Sequence, residues 1–161
     1  MSHHEHDHHA AHGQGESLNR TAFMATVHCL SGCAIGEVAG MVIGTGLNVS
    51  NGVTVALSVI LAFITGYGLT MRPLLRSGMA LRAAAGLALA SDTLSVATME
   101  VVDNALMLVI PGAMAAQLTD ALFWTSLAAS LVIAGVAAFP VNRWLIARGK
   151  GHALVHQHHH H

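Results

Sequence analysis

Four long apolar segments separated by short polar breaks set the pattern of this chain. The first covers residues 21–47 and gives way to Asn48, Ser50, Asn51 and Gly52, a polar string that reads as a tight turn. The second covers residues 53–71 and is expected to stop near Pro73, because a proline disfavours helical geometry in the residue before it. The third starts near Met79 and runs to Ile110, where Pro111 and Gly112 supply a stop signal. The fourth covers residues 119–140, with Thr119 or Asp120 placed to cap its start. About 20 apolar residues cross a hydrocarbon core of about 30 Å, so each segment is long enough. The third exceeds one crossing, so it is expected to tilt or to leave the hydrocarbon in its last turns. Trp124 and Trp144 bracket the fourth segment about 30 Å apart at 1.5 Å per residue, the spacing of interfacial indole belts. The predicted fold class is all-α: a polytopic membrane protein whose four-helix transmembrane bundle occupies residues 21–147, between His-rich tails at 1–20 and 148–161.

Composition agrees, with 53% hydrophobic and 9% charged residues where a soluble globular chain carries roughly 25% charged. The net charge of -1 and the absence of a basic patch exclude nucleic acid as an expected partner. Charge informs through position. Arg20 precedes the first segment, Arg72, Arg76 and Arg82 lie between the second and third, and Arg143, Arg148 and Lys150 follow the fourth. The other two connections carry no Lys or Arg. Cationic residues favour the cytoplasmic side of short loops, which predicts an even number of spans with both termini inside, in a bacterial inner membrane. The opening run from Met1 to His12 lacks the basic start and short apolar stretch of a secretory signal, so it is expected to be retained.

The chemistry lies inside the segments. At 100° per residue, Cys29, Cys33 and Glu37 share a stripe about 80° wide on the first, and Gly32, Gly36, Gly40 and Gly44 form a row beside it. Small residues so spaced let helix backbones approach closely, so the cysteines should face protein. An i,i+4 pair on a helix is too far apart for a disulfide, so the thiols are expected to be free or to bind something. On the third segment Asp92, Met99 and Asp103 fall within about 40° of one another, with Glu100 to the side. Intramembrane acids are costly and usually face a bundle interior or cavity. The only potentially cationic side chain between Arg20 and Arg72 is His28, and there is none between Arg82 and Arg143. Such a carboxyl must hold a proton, reach water or take a cation from outside. Alternatively, neutral acids hydrogen-bond to Ser91, Thr93, Ser95 or Thr98 and the cysteines are small spacers.

Counted from Arg20 and Arg82, these groups form an expected ladder: Cys29, then Cys33 with Asp92, then Glu37, then Met99 with Glu100, then Asp103. Thiolate and thioether ligands suit Cu(I), and Cys with carboxylate or imidazole also suits Zn²⁺. The tail histidines, His3, His4, His6, His8, His9 and His12 at one end and His152, His156 and the closing run at the other, are further candidate ligands for metal.

The motif His28-Cys29-x-x-Gly32-Cys33-x-x-Gly36-Glu37 resembles a bacterial membrane family catalogued as domain of unknown function 4396. Further matching pieces are Asp92-Thr93-x-Ser95 and the tail from Pro140 to His152. The resemblance spans about residues 22–156 and implies a four-helix membrane domain, with some relatives accompanying copper-handling proteins. It brings no established activity. Glu37 stands where the family pattern has Asp, which keeps the charge and lengthens the reach.

The leading expectation is a soft-metal transport or binding protein, Cu(I) before Zn²⁺. Its candidate ligands are Cys29, Cys33, His28, Glu37, Asp92, Met99, Glu100 and Asp103. No hydrolytic or redox machinery is apparent, so an enzyme is not expected. Two rivals are a structural or accessory subunit packed through its glycines, and a proton-linked carrier of a small solute. Four spans are few for a wide path, so a homo-oligomer is also expected.

Overall fold

The computed structural model describes the backbone of residues 6–148 and the side chains of residues 17–148. It contains four helices, α1 (His6–Gly46), α2 (Asn51–Arg76), α3 (Leu81–Val109) and α4 (Ala121–Ala147), with one short 3-10 turn at Ala113–Ala115. All four are long and apolar enough to cross a membrane, α1 through its part Ser17–Gly46. The tail histidines and Lys150 lie outside the described side chains.

Each break between helices has a local cause. Asn48 turns the chain after α1 in the left-handed region at φ 52°, a conformation that Asn tolerates better than most residues. Gly78 does the same after α2 at φ 88°, and the bonds Gly78 N–H to Leu75 O (3.1 Å) and Met79 N–H to Leu74 O (3.1 Å) close a Schellman motif. Pro111 and Gly112, the latter at φ 80°, follow the end of α3 as expected. Asp120 occupies the N-cap position of α4, but its carboxylate turns back to accept from Gln117 N–H at 2.8 Å and caps no helical donor.

Both internal prolines fail to end their helices. Helix α2 continues through Pro73 to Arg76, because Leu74 is buried against Ala84 and holds the last turn in place. Helix α4 continues through Pro140 to Ala147. A proline removes one donor from a helix, and the turns beyond it are tied to α1. Asn142 Nδ2 donates to Thr26 Oγ1 (2.9 Å), Arg143 Nε donates to Asn19 Oδ1 (2.7 Å), and Leu145 is buried.

Helix α1 packs on α2 and α4, α3 packs on the same two, and α1 meets α3 across the diagonal. The α1–α2 contact is antiparallel and follows the glycine row: Gly32 lies against Gly66, Gly36 against Ala62, Gly40 against Ser58 and Gly44 against Thr54. A Cβ at Gly32 would sit 2.7 Å from the Gly66 Cα, and one at Gly36 would overlap the backbone of Ala62. Thr65 Oγ1 also donates to Gly32 O (2.6 Å) and Ser58 Oγ to Glu37 O (3.3 Å), which stitches the hairpin together. The glycine row is therefore used within the chain. The up-and-down order gathers Arg20, Arg72, Arg76, Arg82, Arg143 and Arg148 at one end of the bundle. Large apolar side chains such as Ile60, Val101, Leu108 and Val136 point outward, as lipid contact requires.

Candidate functional site

The diagonal between α1 and α3 carries the polar seam. Cys29, Cys33, Glu37, Asp92, Met99, Glu100 and Asp103 are each 5% exposed or less. Both cysteines are free. The expected inward facing of the sulfur and carboxyl groups is observed for all seven. His28 is half-buried, and its Nε2 lies 3.2 Å from Thr70 Oγ1 of α2.

The register of the seam differs from the count made along the sequence. Cys33 Sγ is 4.0 Å from Met99 Sδ, a separation of 66 residues, whereas Arg20 and Arg82 are 62 apart. The difference of four residues is one helical turn. It arises because Arg82 sits at the very start of α3 while Arg20 lies well inside α1, so the two arginines do not mark one level. Asp92 and Ser95 consequently neighbour Cys29, not Cys33. Glu100 neighbours Cys33. The carboxyl neighbours of Glu37 are Asp103 and Glu100. The seam thus has a carboxyl tier, a mixed sulfur and carboxyl tier, and a third tier of Cys29, Ser95 and Asp92.

Partial satisfaction marks the carboxyl tier. Ser130 of α4 donates to Asp103 Oδ1, and Asn104 Nδ2 contacts Glu100 through O (2.8 Å) and Oε2 (3.4 Å). In the third tier, Ser91 Oγ donates to Asp92 Oδ1 (2.6 Å). Neither oxygen of Glu37, nor Oε1 of Glu100, has a hydrogen-bond partner among the described residues. Thr93 and Thr98 serve none of these acids; their hydroxyls donate to Leu89 O (2.5 Å) and Leu94 O (2.7 Å).

A cavity of about 390 Å³ reaches this tier. Its inner wall includes Glu37, Asp103, Ser58 and Asn104, and its mouth is formed by Asn48, Asn51, Met114 and Gln117 of the two arginine-free turns. From those turns to Glu37 the depth is about 15 Å, half the thickness of a bilayer core. Beyond Glu37 the path is closed by a packed cluster of Cys29, Cys33, Ala62, Val96, Met99, Ala134 and Ala138. Ser130, Asn104 and the cavity wall of α2 were not anticipated from the sequence. An isolated Ser or Asn in an apolar run carries no directional signal, and a cavity is a property of the assembled helices.

The seam offers hard oxygen donors at the cavity floor and soft sulfur donors just behind it. Among the described residues, no three His, Cys, Asp or Glu converge as a preformed metal site.

Fold and seam together define a multi-pass membrane protein, a four-helix bundle with a half-depth cavity ending on buried carboxyls. The chain belongs to the family described as domain of unknown function DUF4396, whose model matches residues 18–151. Neither a curated protein nor a solved structure matches it.

Proposed function

We propose that this protein is a membrane carrier for a small cation, which enters through the cavity and is taken by Glu37 and Asp103 in exchange for protons. One observation carries the reading: Glu37 is 95% buried at the foot of an open cavity, and neither of its oxygens has a hydrogen-bond partner among the described residues. A desolvated carboxyl gains most from a cation where no arginine, lysine or hydrogen-bond donor already neutralises it. The sequence places no Lys or Arg between Arg20 and Arg72 or between Arg82 and Arg143. An incoming cation is thus the compensating charge that this tier lacks. By the positive-inside rule the arginine-bearing end is cytoplasmic and the cavity opens outward, in a bacterial inner membrane with both termini inside.

A second observation favours, within this proposal, a soft metal ion as the cargo, Cu(I) before Zn²⁺. Cys33 Sγ and Met99 Sδ are 4.0 Å apart directly behind the carboxyls, and thiolate with thioether is a donor pair that selects Cu(I). The metal here is cargo, passed from oxygen to sulfur as the Cys33 thiol gives its proton to the carboxylate that releases the ion, so a closed cage of three or more ligands is not required.

Equilibrium binding of Cu(I), Zn²⁺ and a quaternary ammonium ion to the full-length protein in detergent tests both points. The wild type should retain one cation more than the Glu37→Gln, Asp103→Asn variant, with the tail histidines identical in both. For Cu(I) alone, Cys33→Ser or Met99→Leu should also reduce retention. Equal binding of all three cations by wild type and carboxyl variant would contradict the carrier reading; loss of Zn²⁺ and Cu(I) in equal measure from Cys33→Ser would contradict the preference for Cu(I).

A further inference from the structure

On the outer face of α2, away from the seam, Gly68, Arg72 and Arg76 follow one another at four-residue spacing, flanked by Met71 and Leu75. These five residues line a shallow groove at the arginine-bearing end of the bundle. Its walls are almost wholly apolar, so Arg72 and Arg76 line it with their methylene stems, and Gly68 leaves open space at its far end: a Cβ there would meet nothing within 4 Å. Arg72, Leu75 and Arg76 are exposed. No Asp or Glu occurs anywhere between Glu37 and Asp92, so α2 and both turns that flank it offer these guanidiniums no carboxylate.

We infer that this groove binds an anionic phospholipid. The phosphodiester would sit between the guanidiniums of Arg72 and Arg76, and the upper part of one acyl chain would lie along Leu75, Met71 and the side-chain-free surface of Gly68. Guanidinium groups are planar donors that match phosphate oxygens in pairs, and two of them one turn apart present such donors on a single face. The apolar track runs from the arginines toward the bilayer centre, about 12 Å from Arg76 to Gly68 at 1.5 Å per residue. A soluble phosphate would satisfy the arginines and leave that track empty. A zwitterionic lipid would fill the track while bringing a cationic head group to two cations. Only an anionic lipid complements both parts, and the cytoplasmic leaflet is where such lipids concentrate.

Native mass spectrometry of the full-length protein in a mild detergent tests this directly, with phosphatidylglycerol or phosphatidylcholine of the same acyl chains added. A phosphatidylglycerol adduct should form in preference to phosphatidylcholine and should survive an excess of inorganic phosphate. Arg72→Gln with Arg76→Gln should weaken it roughly 30-fold, the equivalent of about 2 kcal/mol. Gly68→Leu, which puts a side chain across the acyl track without touching charge, should weaken it as well, and Arg82→Gln should leave it intact. All of these positions are exposed, so the variants should fold, which a melting curve verifies. Equal binding of the two lipids, displacement by inorganic phosphate, an adduct that persists in the double arginine variant, or one indifferent to Gly68→Leu would each overturn the assignment.

Discussion

At Glu37 two buried oxygens go without a donor among the described residues, beside two further carboxyls, an arrangement that adds nothing to the stability of the bundle. Replacing one member of a satisfied buried pair is normally destabilising, whereas replacing a buried polar group that has no partner is not. Glu37→Gln should therefore change stability by less than about 1 kcal/mol, in either direction, while abolishing cation binding. Thermal melts in detergent beside binding isotherms separate the two effects. Ser130 behaves in the opposite way. Its hydroxyl is the donor to Asp103 Oδ1, so Ser130→Ala should lower stability by about 1 kcal/mol and also weaken cation binding by loosening Asp103. A melting temperature unchanged by Ser130→Ala would show that this hydrogen bond is not formed in the membrane.

The α1–α2 hairpin is held by close backbone approach more than by side-chain volume. At Gly36 any side chain meets the Ala62 backbone, which cannot yield without separating the helices, whereas Gly46 faces open space. Gly36→Leu should cost more than about 3 kcal/mol, beyond the usual range for overpacking. Gly46→Ala should be neutral or slightly stabilising, since alanine is the better helix former. A comparison of unfolding by denaturing detergent checks both. At this scale the sequence was largely legible. Apolar runs of bilayer length fix the four spans, Asn48, Gly78 and Pro111-Gly112 punctuate them, and the glycine row announces a tight contact without naming its partner. What escaped was what depends on neighbours. Pro73 and Pro140 lie inside helices because Leu74, Asn142 and Leu145 anchor the turns that follow. The pairing of Cys33 with Met99, not with Asp92, depends on where α3 starts relative to α1. The acids of the candidate site could be read because carboxyls in apolar runs are rare; Ser130 and Asn104 could not, since such residues are common there.

For the whole molecule, the cavity opens at one end and is sealed toward the other by the cluster around Cys29, Cys33 and Met99. A thiol placed at Thr45, on the cavity wall, should therefore be modified by a membrane-impermeant maleimide from the outer face of cells. Native Cys29 and Cys33 should stay unmodified until the protein is denatured. Labelling of Thr45→Cys only from the cytoplasmic face would mean that the bundle sits the other way up in the membrane. The proposed carrier, with its cavity on one side, must also expose its site to the other, and with α1 and α2 packed backbone to backbone the sparser α1–α3 diagonal is the contact expected to open. Exchange of cation for protons at Glu37 and Asp103 is the step on which the proposed function rests. Proteoliposomes loaded with a pH-sensitive dye measure it most directly, with Cu(I), Zn²⁺ or a quaternary ammonium ion added outside. Cation entry against proton exit should raise the lumenal pH in wild-type vesicles and leave Glu37→Gln, Asp103→Asn vesicles at the protein-free baseline. A wild-type response no larger than that of protein-free liposomes for every cation, or an equal response from the carboxyl variant, would contradict it.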